Sequence, residues 1–254
     1  MIMRTYQYFL LLLTMLLIYN CDSKPSKNIK PIVKKETPKK EVIKEAPFVY
    51  GIDISKYQGD EVDFINVHKD SLGFVICKAT QGAYGTDPKF QENWSKIKQD
   101  GFLRGTYHFY VSTDDPIAQA KHFVNTIKGI EVTDIPPVVD FEMGGIDEKT
   151  PETDVISGLI DFIKTTEKLL GRKVMIYTNI PTADRYLRDM KFSSYALWIA
   201  NYVQKPEPDV PFVWKNSGWT FWQRDANYKI DGFTDDSDVF NGDISKLKAF
   251  INSY

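Results

Sequence analysis

Pro136-Pro137-Val138-Val139-Asp140-Phe141-Glu142 (PPVVDFE, 136–142) is a short apolar, β-branched run that ends in two carboxylates. Such a run, opened by prolines, reads as a buried strand. Side-chain alternation puts Asp140 and Glu142 on one face, about 6.6 Å apart along the strand. Six further runs of this kind lie on either side: FVYGIDI (48–54), GFVICKAT (73–80), LRGTYHFY (103–110), RKVMIYTN (172–179), YALWIAN (195–201) and WTFWQ (219–223). Helix-like stretches separate the early ones. The stretch 89–99 follows Asp87-Pro88, an N-cap with a proline at the first helical position. The stretch 116–127 is opened by Asp114 and Asp115, and 153–170 stops at Gly171. Strands alternating with helices at this spacing predict a parallel sheet. About seven or eight strands in a domain of this size predict an α/β fold, a small and irregular (β/α) barrel whose helices fade after Tyr195.

Outward from this region the chain divides into three parts. Residues 1–21 carry one charge, Arg4, and then an apolar run from Phe9 to Ile18 that ends at Cys21. A basic start before about ten apolar residues describes an export signal, too short for a comfortable membrane span. Leu17-Ile18-Tyr19-Asn20-Cys21 resembles a lipobox, which implies lipid attachment at Cys21, a membrane anchor and a cell-envelope location. Residues 22–47 hold eight Lys, four acidic residues, four Pro and no aromatic. They cannot bury enough apolar surface to offset their ordering entropy and read as a tether, on the order of 80 Å long if extended. Residues 48–254 are the folded part, with a net charge of -7 against +4 for the tether and +1 for the signal. An acidic domain gives no support for nucleic-acid binding. Two cysteines exclude a disulfide scaffold and a four-cysteine zinc site. Cys77 alternates with apolar neighbours as a core thiol, and a monomer is expected.

Polar residues gather where a parallel barrel places its active site, at the C-terminal ends of strands. Asp53 ends the first, Lys78 and Thr80 the second, and Tyr107 and His108 the third. Asp140 and Glu142 end the fourth, Tyr177 and Asn179 the fifth, Trp198 and Asn201 the sixth, Trp222 and Gln223 the seventh. Paired carboxylates at this separation suit glycoside hydrolysis, because each raises the proton affinity of the other. Several carboxylates would also suit a divalent cation; the surrounding Trp and Tyr favour sugar, so no metal and no cofactor is expected. A glycine-rich phosphate loop, a G-x-S-x-G elbow and an H-E-x-x-H helix are all missing from the sequence.

GIDISKYQG (51–59), CKATQGAYGTDPKF (77–90), GTYHFY (105–110), PPVVDFE (136–142), IYTN (176–179), LWIANY (197–202) and WTFWQ (219–223) resemble, in order and spacing, the family 25 glycoside hydrolases, the Chalaropsis-type lysozymes. The resemblance spans essentially all of 48–254. It implies a flattened (β/α) barrel and hydrolysis of the β-1,4 bond between N-acetylmuramic acid and N-acetylglucosamine in peptidoglycan. By position it makes Glu142 the general acid, Asp140 the second carboxylate and Asp53 a charge-tuning group. The last aspartate of the family pattern falls at Asp236, in Asp235-Asp236-Ser237-Asp238-Val239-Phe240, where Asp238 replaces the usual asparagine and is the other candidate for that place. Gln81 stands where the family often has Glu. Tyr107, His108, Tyr177, Asn179, Trp198, Asn201, Trp222 and Gln223 are the expected sugar contacts. Retention through the substrate's acetamido group and inversion through an activated water both stay open. So do two other functions: a lipoprotein that binds cell-wall glycan without cutting it, and a chitinase-like glycosidase. Against the latter, Val138 stands where the chitinase motif has an aspartate.

Overall fold

A computed structural model describes residues 48–58, 72–230 and 233–254. The signal-like segment with Cys21 and the tether lie outside the described residues.

Eight strands close into a barrel. β1 (Val49–Ile54) pairs parallel with β2 (Phe74–Gln81), which also carries the two-residue strand β3 (Gly85–Thr86). β4 (Leu103–Phe109), β5 (Val138–Asp140), β6 (Met175–Asn179), β7 (Leu197–Ala200) and the start of β8 (Phe221–Ile230) follow in parallel. The last staves differ from the expected all-parallel pattern. β9 (Phe233–Phe240) folds back antiparallel on β8 and closes the circle antiparallel to β1. β9 replaces a crossover helix, and β8 and β9 form one long ribbon with register shifts at Gln223/Asp225 and Asp225/Tyr228.

The helices sit outside. α1 (Phe90–Gln99), α2 (Pro116–Thr126), α3 (Glu152–Leu170), α4 (Ile180–Tyr186) and α5 (Ile244–Ser253) are the α-helices among the described residues. The cap of α1 departs from the sequence reading. The helix begins at Phe90, and Asp87 instead accepts from the Lys89 and Lys56 amides at 2.9 and 3.0 Å, tying β1 to the turn after β3. Asp115 does cap α2, accepting from the Ala118 amide at 2.6 Å, while Asp114 accepts from Ala83 across the turn. Gly171 ends α3 with φ 65°, a left-handed conformation that glycine adopts without strain.

Strand alternation separates two cores. Outward-facing Ile52, Val75, Cys77, Val139, Ile176, Leu197, Ile199 and Trp222 pack under the helices with Phe90, Phe123, Leu159 and Phe162. Inward-facing Val49, Phe74, Ile76, Val138, Met175, Trp198, Phe221 and Phe240 fill the barrel. Gly51 leaves room for this filling, since a Cβ there would stand 2.4 Å from the Phe74 ring. Cys77 is buried in the outer core, as expected, and burial pushes its thiol up.

Candidate active site

In β1, β2, β4, β5, β6 and β8 the inward face is apolar at the N-terminal end and polar at the C-terminal end. Val49 and Gly51 lead to Asp53, and Phe74 and Ile76 lead to Lys78. Leu103 and Gly105 lead to Tyr107, Val138 to Asp140, Met175 to Tyr177, and Phe221 to Gln223. β9 runs the other way, so its inward order is Asp236, Asp238, Phe240, and Asp236 lies directly across from Asp53. The barrel is therefore plugged by hydrocarbon below and opens above into a cleft of about 370 Å³, walled by Asp53, Lys78, Tyr107, Asp140, Tyr177, Gln223 and Asp236 with Glu142, Trp198, Tyr202, Tyr57 and Phe109.

Glu142 reaches the cleft because the chain stays extended past β5, with φ -140° and ψ 166° at Glu142. Asp140 and Glu142 consequently share the inward face. Asp140 is 7% exposed, and its Oδ1 is buried with no hydrogen-bond partner among the described residues. Burial and the adjacent Glu142 raise its proton affinity well above the ordinary carboxylate range, with Lys78 pulling the other way. Burial also raises Glu142, again opposed by Lys78. Lys78, whose Nζ donates to Gln81 Oε1 at 2.8 Å, is the one cation among the described residues lining the cleft.

Gln223 is the hub of the opposite wall. Its Nε2 donates to Asp53 Oδ2 at 2.7 Å, and its Oε1 accepts from Tyr177 Oη at 2.9 Å and Tyr202 Oη at 2.6 Å. Burial, and then the Asp236 charge, lift Asp53 to about 8, with the Gln223 bond opposing. Burial lifts Asp236 to about 6, helped by Asp225 and Glu142. Trp198 forms edge contacts with Tyr107 and Tyr177, at ring-centroid distances of 6.4 and 4.8 Å, and donates its indole N–H to Asp238 at 2.8 Å. Among the described residues, no group of three or more His, Cys, Asp or Glu side chains is placed to hold a metal ion.

Of the residues singled out in the sequence, Asp53, Asp140, Glu142, Asp236, Tyr107, Tyr177, Trp198 and Gln223 meet in the cleft. Four others do not. His108 alternates with Tyr107 and faces the helices. It is fully buried, stacked on Phe162 at 4.7 Å, with its ring nitrogens against Thr80 at 2.7 Å and Gln119 at 3.1 Å. Trp222 alternates with Gln223 into the outer core and donates to the Asn201 carbonyl. Asn179 caps α4, accepting from the Thr182 amide at 3.0 Å, and the Asn201 side chain accepts from the Asp209 amide at 2.9 Å. Adjacent strand residues cannot share a face, so His108 and Trp222 were excluded by the same periodicity that admitted Tyr107 and Gln223. Lys78 was seen at a strand end without a role. Tyr57, Tyr202 and Phe109 carried no signal beyond being aromatics close to those ends.

Comparisons with known proteins match the chain's sequence and its fold. A sequence model described as Glycosyl hydrolases family 25 matches residues 52–233. Uncharacterized protein YegX of Escherichia coli K12 is 32% identical over 213 residues, covering 80% of this chain and 74% of YegX. Lysozyme M1 of Streptomyces globisporus is 29% identical over 216 residues, 81% of this chain and 72% of that one. The crystal structure of the bacterial lysozyme from Streptomyces coelicolor superposes with a TM-score of 0.74 at 27% identity, covering 82% of this chain and 99% of that one. With a family match over most of the barrel, and a cleft that gathers the paired carboxylates of PPVVDFE, the chain belongs to glycosyl hydrolase family 25 and is a glycoside hydrolase.

Proposed function

We propose that the protein hydrolyses the β-1,4 bond between N-acetylmuramic acid and N-acetylglucosamine in peptidoglycan, with Glu142 as general acid and Asp140 as the stabilising carboxylate. Named relatives such as Lysozyme M1 support the substrate class. The observation that carries the roles is the pairing of a cleft-lining Glu142 with an Asp140 whose buried Oδ1 lacks a donor.

Burial raises the proton affinity of both carboxyls, and repulsion by Glu142 raises Asp140 further, so the pair favours holding one shared proton over carrying two charges. An acetamido N–H from the substrate would satisfy Asp140 Oδ1 and favour its charged form. That leaves the proton on Glu142, where the leaving group needs it. Glu142 then protonates the glycosidic oxygen as the anomeric C–O bond breaks, and the acetamido carbonyl oxygen attacks the anomeric carbon. Water opens the resulting ring and returns a proton to Glu142, so the product keeps its configuration. Asp53 and Asp236 tune the charge of the cleft. Tyr107, Tyr177 and Trp198 form its aromatic wall, with Gln223 holding the far side.

Exchanging Glu142 for Gln removes the proton while keeping the shape. Cell-wall clearing by the E142Q protein should fall roughly 10² to 10⁴-fold, the usual worth of general acid catalysis; near-full clearing would refute the assignment. The protein is further proposed to be exported and anchored at Cys21, and to act as a monomer. Labelled palmitate should enter the parent and not the Cys21→Ala protein, and unchanged labelling would refute the anchor.

A further inference from the structure

Below the Asp53–Asp236 pair lies a carboxyl that the proposed reaction does not use. Asp238 points into the barrel, in register with Gly51 on one side and Gln223 on the other, and its exposure is 0%. Its Oδ1 accepts the Trp198 indole N–H at 2.8 Å, while Oδ2 is buried with no donor among the described residues. Asp53 stands opposite Asp236, two residues along the ladder from Asp238 on the same inward face, and its charge acts on the Asp238 carboxyl. Two neighbouring carboxyls can hydrogen-bond to each other only if one of them carries a proton.

The surroundings decide which. Facing this pair are Asp236 on the same strand, Tyr107 of β4, Asp140 with Glu142 just beyond it on β5, Tyr177 of β6, and Tyr202 after β7. Lys78 of β2 bonds to Gln81 and acts on Asp140 and Glu142 across the cleft. The titratable groups facing the pair are thus all acids and phenols, and a buried anion with no cation beside it is strongly disfavoured. Asp53 is slightly open to the cleft and takes the Gln223 amide, whereas Asp238 is sealed.

We propose that Asp238 is a resident carboxylic acid that keeps its proton throughout the working range, donates it to Asp53, and thereby fixes the orientation of Asp53 at the head of the cleft. Asp238 is a positioning residue: it touches no substrate and acts through Asp53. Burial, with the Asp53 charge second, accordingly raises its proton affinity well above the ordinary range, and Asp53 is the member that titrates. The proposal rests on reading the cleft as the glycosidase site.

The test compares the parent with Asp238→Asn, which supplies a permanent N–H in the same place, and with Asp238→Ala, which supplies none. A carboxyl neutral in the fold but ionised in the unfolded chain loses about tenfold in folding equilibrium constant per pH unit above its unfolded value. The stability of D238N relative to the parent should therefore climb by up to about 10³-fold in that constant between pH 5 and 8, read by thermal unfolding. At pH 6, D238N should keep kcat within about threefold of the parent, while D238A loses about 10 to 10²-fold in kcat with KM little changed, the scale expected of a misplaced catalytic group. Parallel stability curves for parent and D238N, or a D238N protein as slow as D238A, would overturn the proposal. If D238A does not fold, the D238N comparison still decides. An E142Q protein that keeps its turnover would sink the glycosidase reading alone, since the pH-linked stability reports the Asp238 proton independently.

Discussion

Replacing Gln223 by Leu keeps most of the side-chain volume and removes three hydrogen bonds at once. Asp53 Oδ2 loses its 2.7 Å donor, Tyr177 Oη loses its acceptor at 2.9 Å, and Tyr202 Oη loses one at 2.6 Å. Tyr202 is 57% exposed and can turn to water at little cost. Tyr177 is 8% exposed and Asp53 7%, so each is left buried with an unmet bond. A buried group left unpaired costs about 1 to 3 kcal/mol. Two of them give a loss of roughly 2 to 6 kcal/mol. For a domain of this size each kcal/mol is worth about 2 to 4 °C, so the unfolding midpoint should drop by about 4 to 24 °C. Circular dichroism melting at pH 6 checks this. A drop under about 2 °C would refute the reasoning, because it would mean that water replaces all three bonds and that the far wall of the cleft is already wet.

Other perturbations separate site from scaffold. Asp140→Asn should lose kcat by about 10² or more, since the neutral amide cannot stabilise the developing charge; steady-state kinetics on solubilised cell wall would show it. His108→Phe should cost about 1 to 3 kcal/mol through the stranded Thr80 and Gln119 groups, yet leave KM for glycan unchanged, and a large rise in KM would restore His108 as a sugar contact. Arg104→Met should cost about 3 to 5 kcal/mol in denaturant unfolding, because it strands the buried Asp134 carboxylate that Arg104 Nε meets at 2.8 Å. Stability should fall from pH 6.5 to 8. Asp53, lifted to about 8, contributes stability that is complete below its unfolded value near 4 and is lost as pH rises through 8. Burial lowers His108 to about 3, and its opposite contribution is complete above about 6.5, so it cannot mask the fall. A flat melting profile over that window would contradict the charge state assigned to the cleft.

Most of this barrel was legible because its strands announce themselves by apolar runs, and because each run ends on a polar residue with an evident reason to be there. Val138 to Glu142 is the clearest case: alternation alone put both carboxylates on one face. The same rule applied one residue too loosely produced His108 and Trp222 as sugar contacts, and both belong to the outer core. β9 was missed as a strand because FTDDSDVF is too acidic to read as one; the acids are tolerated because Asp236 lines the cleft and Asp238, sealed below it, accepts the Trp198 indole N–H. Asp231-Gly232 is a dipeptide typical of two-residue hairpins, and that cue was available in the sequence. The Gln223 hub was not available. It joins residues from β1, β6, β8 and the segment after β7, and only the closed barrel brings them together.

The most direct measurement is the identity of the reducing ends released when the purified protein digests peptidoglycan. Mass spectrometry of the muropeptides should find new reducing ends on N-acetylmuramic acid, released by the parent and lost in the E142Q protein. Reducing ends on N-acetylglucosamine instead, or binding to the wall with no new ends at all, would contradict the account.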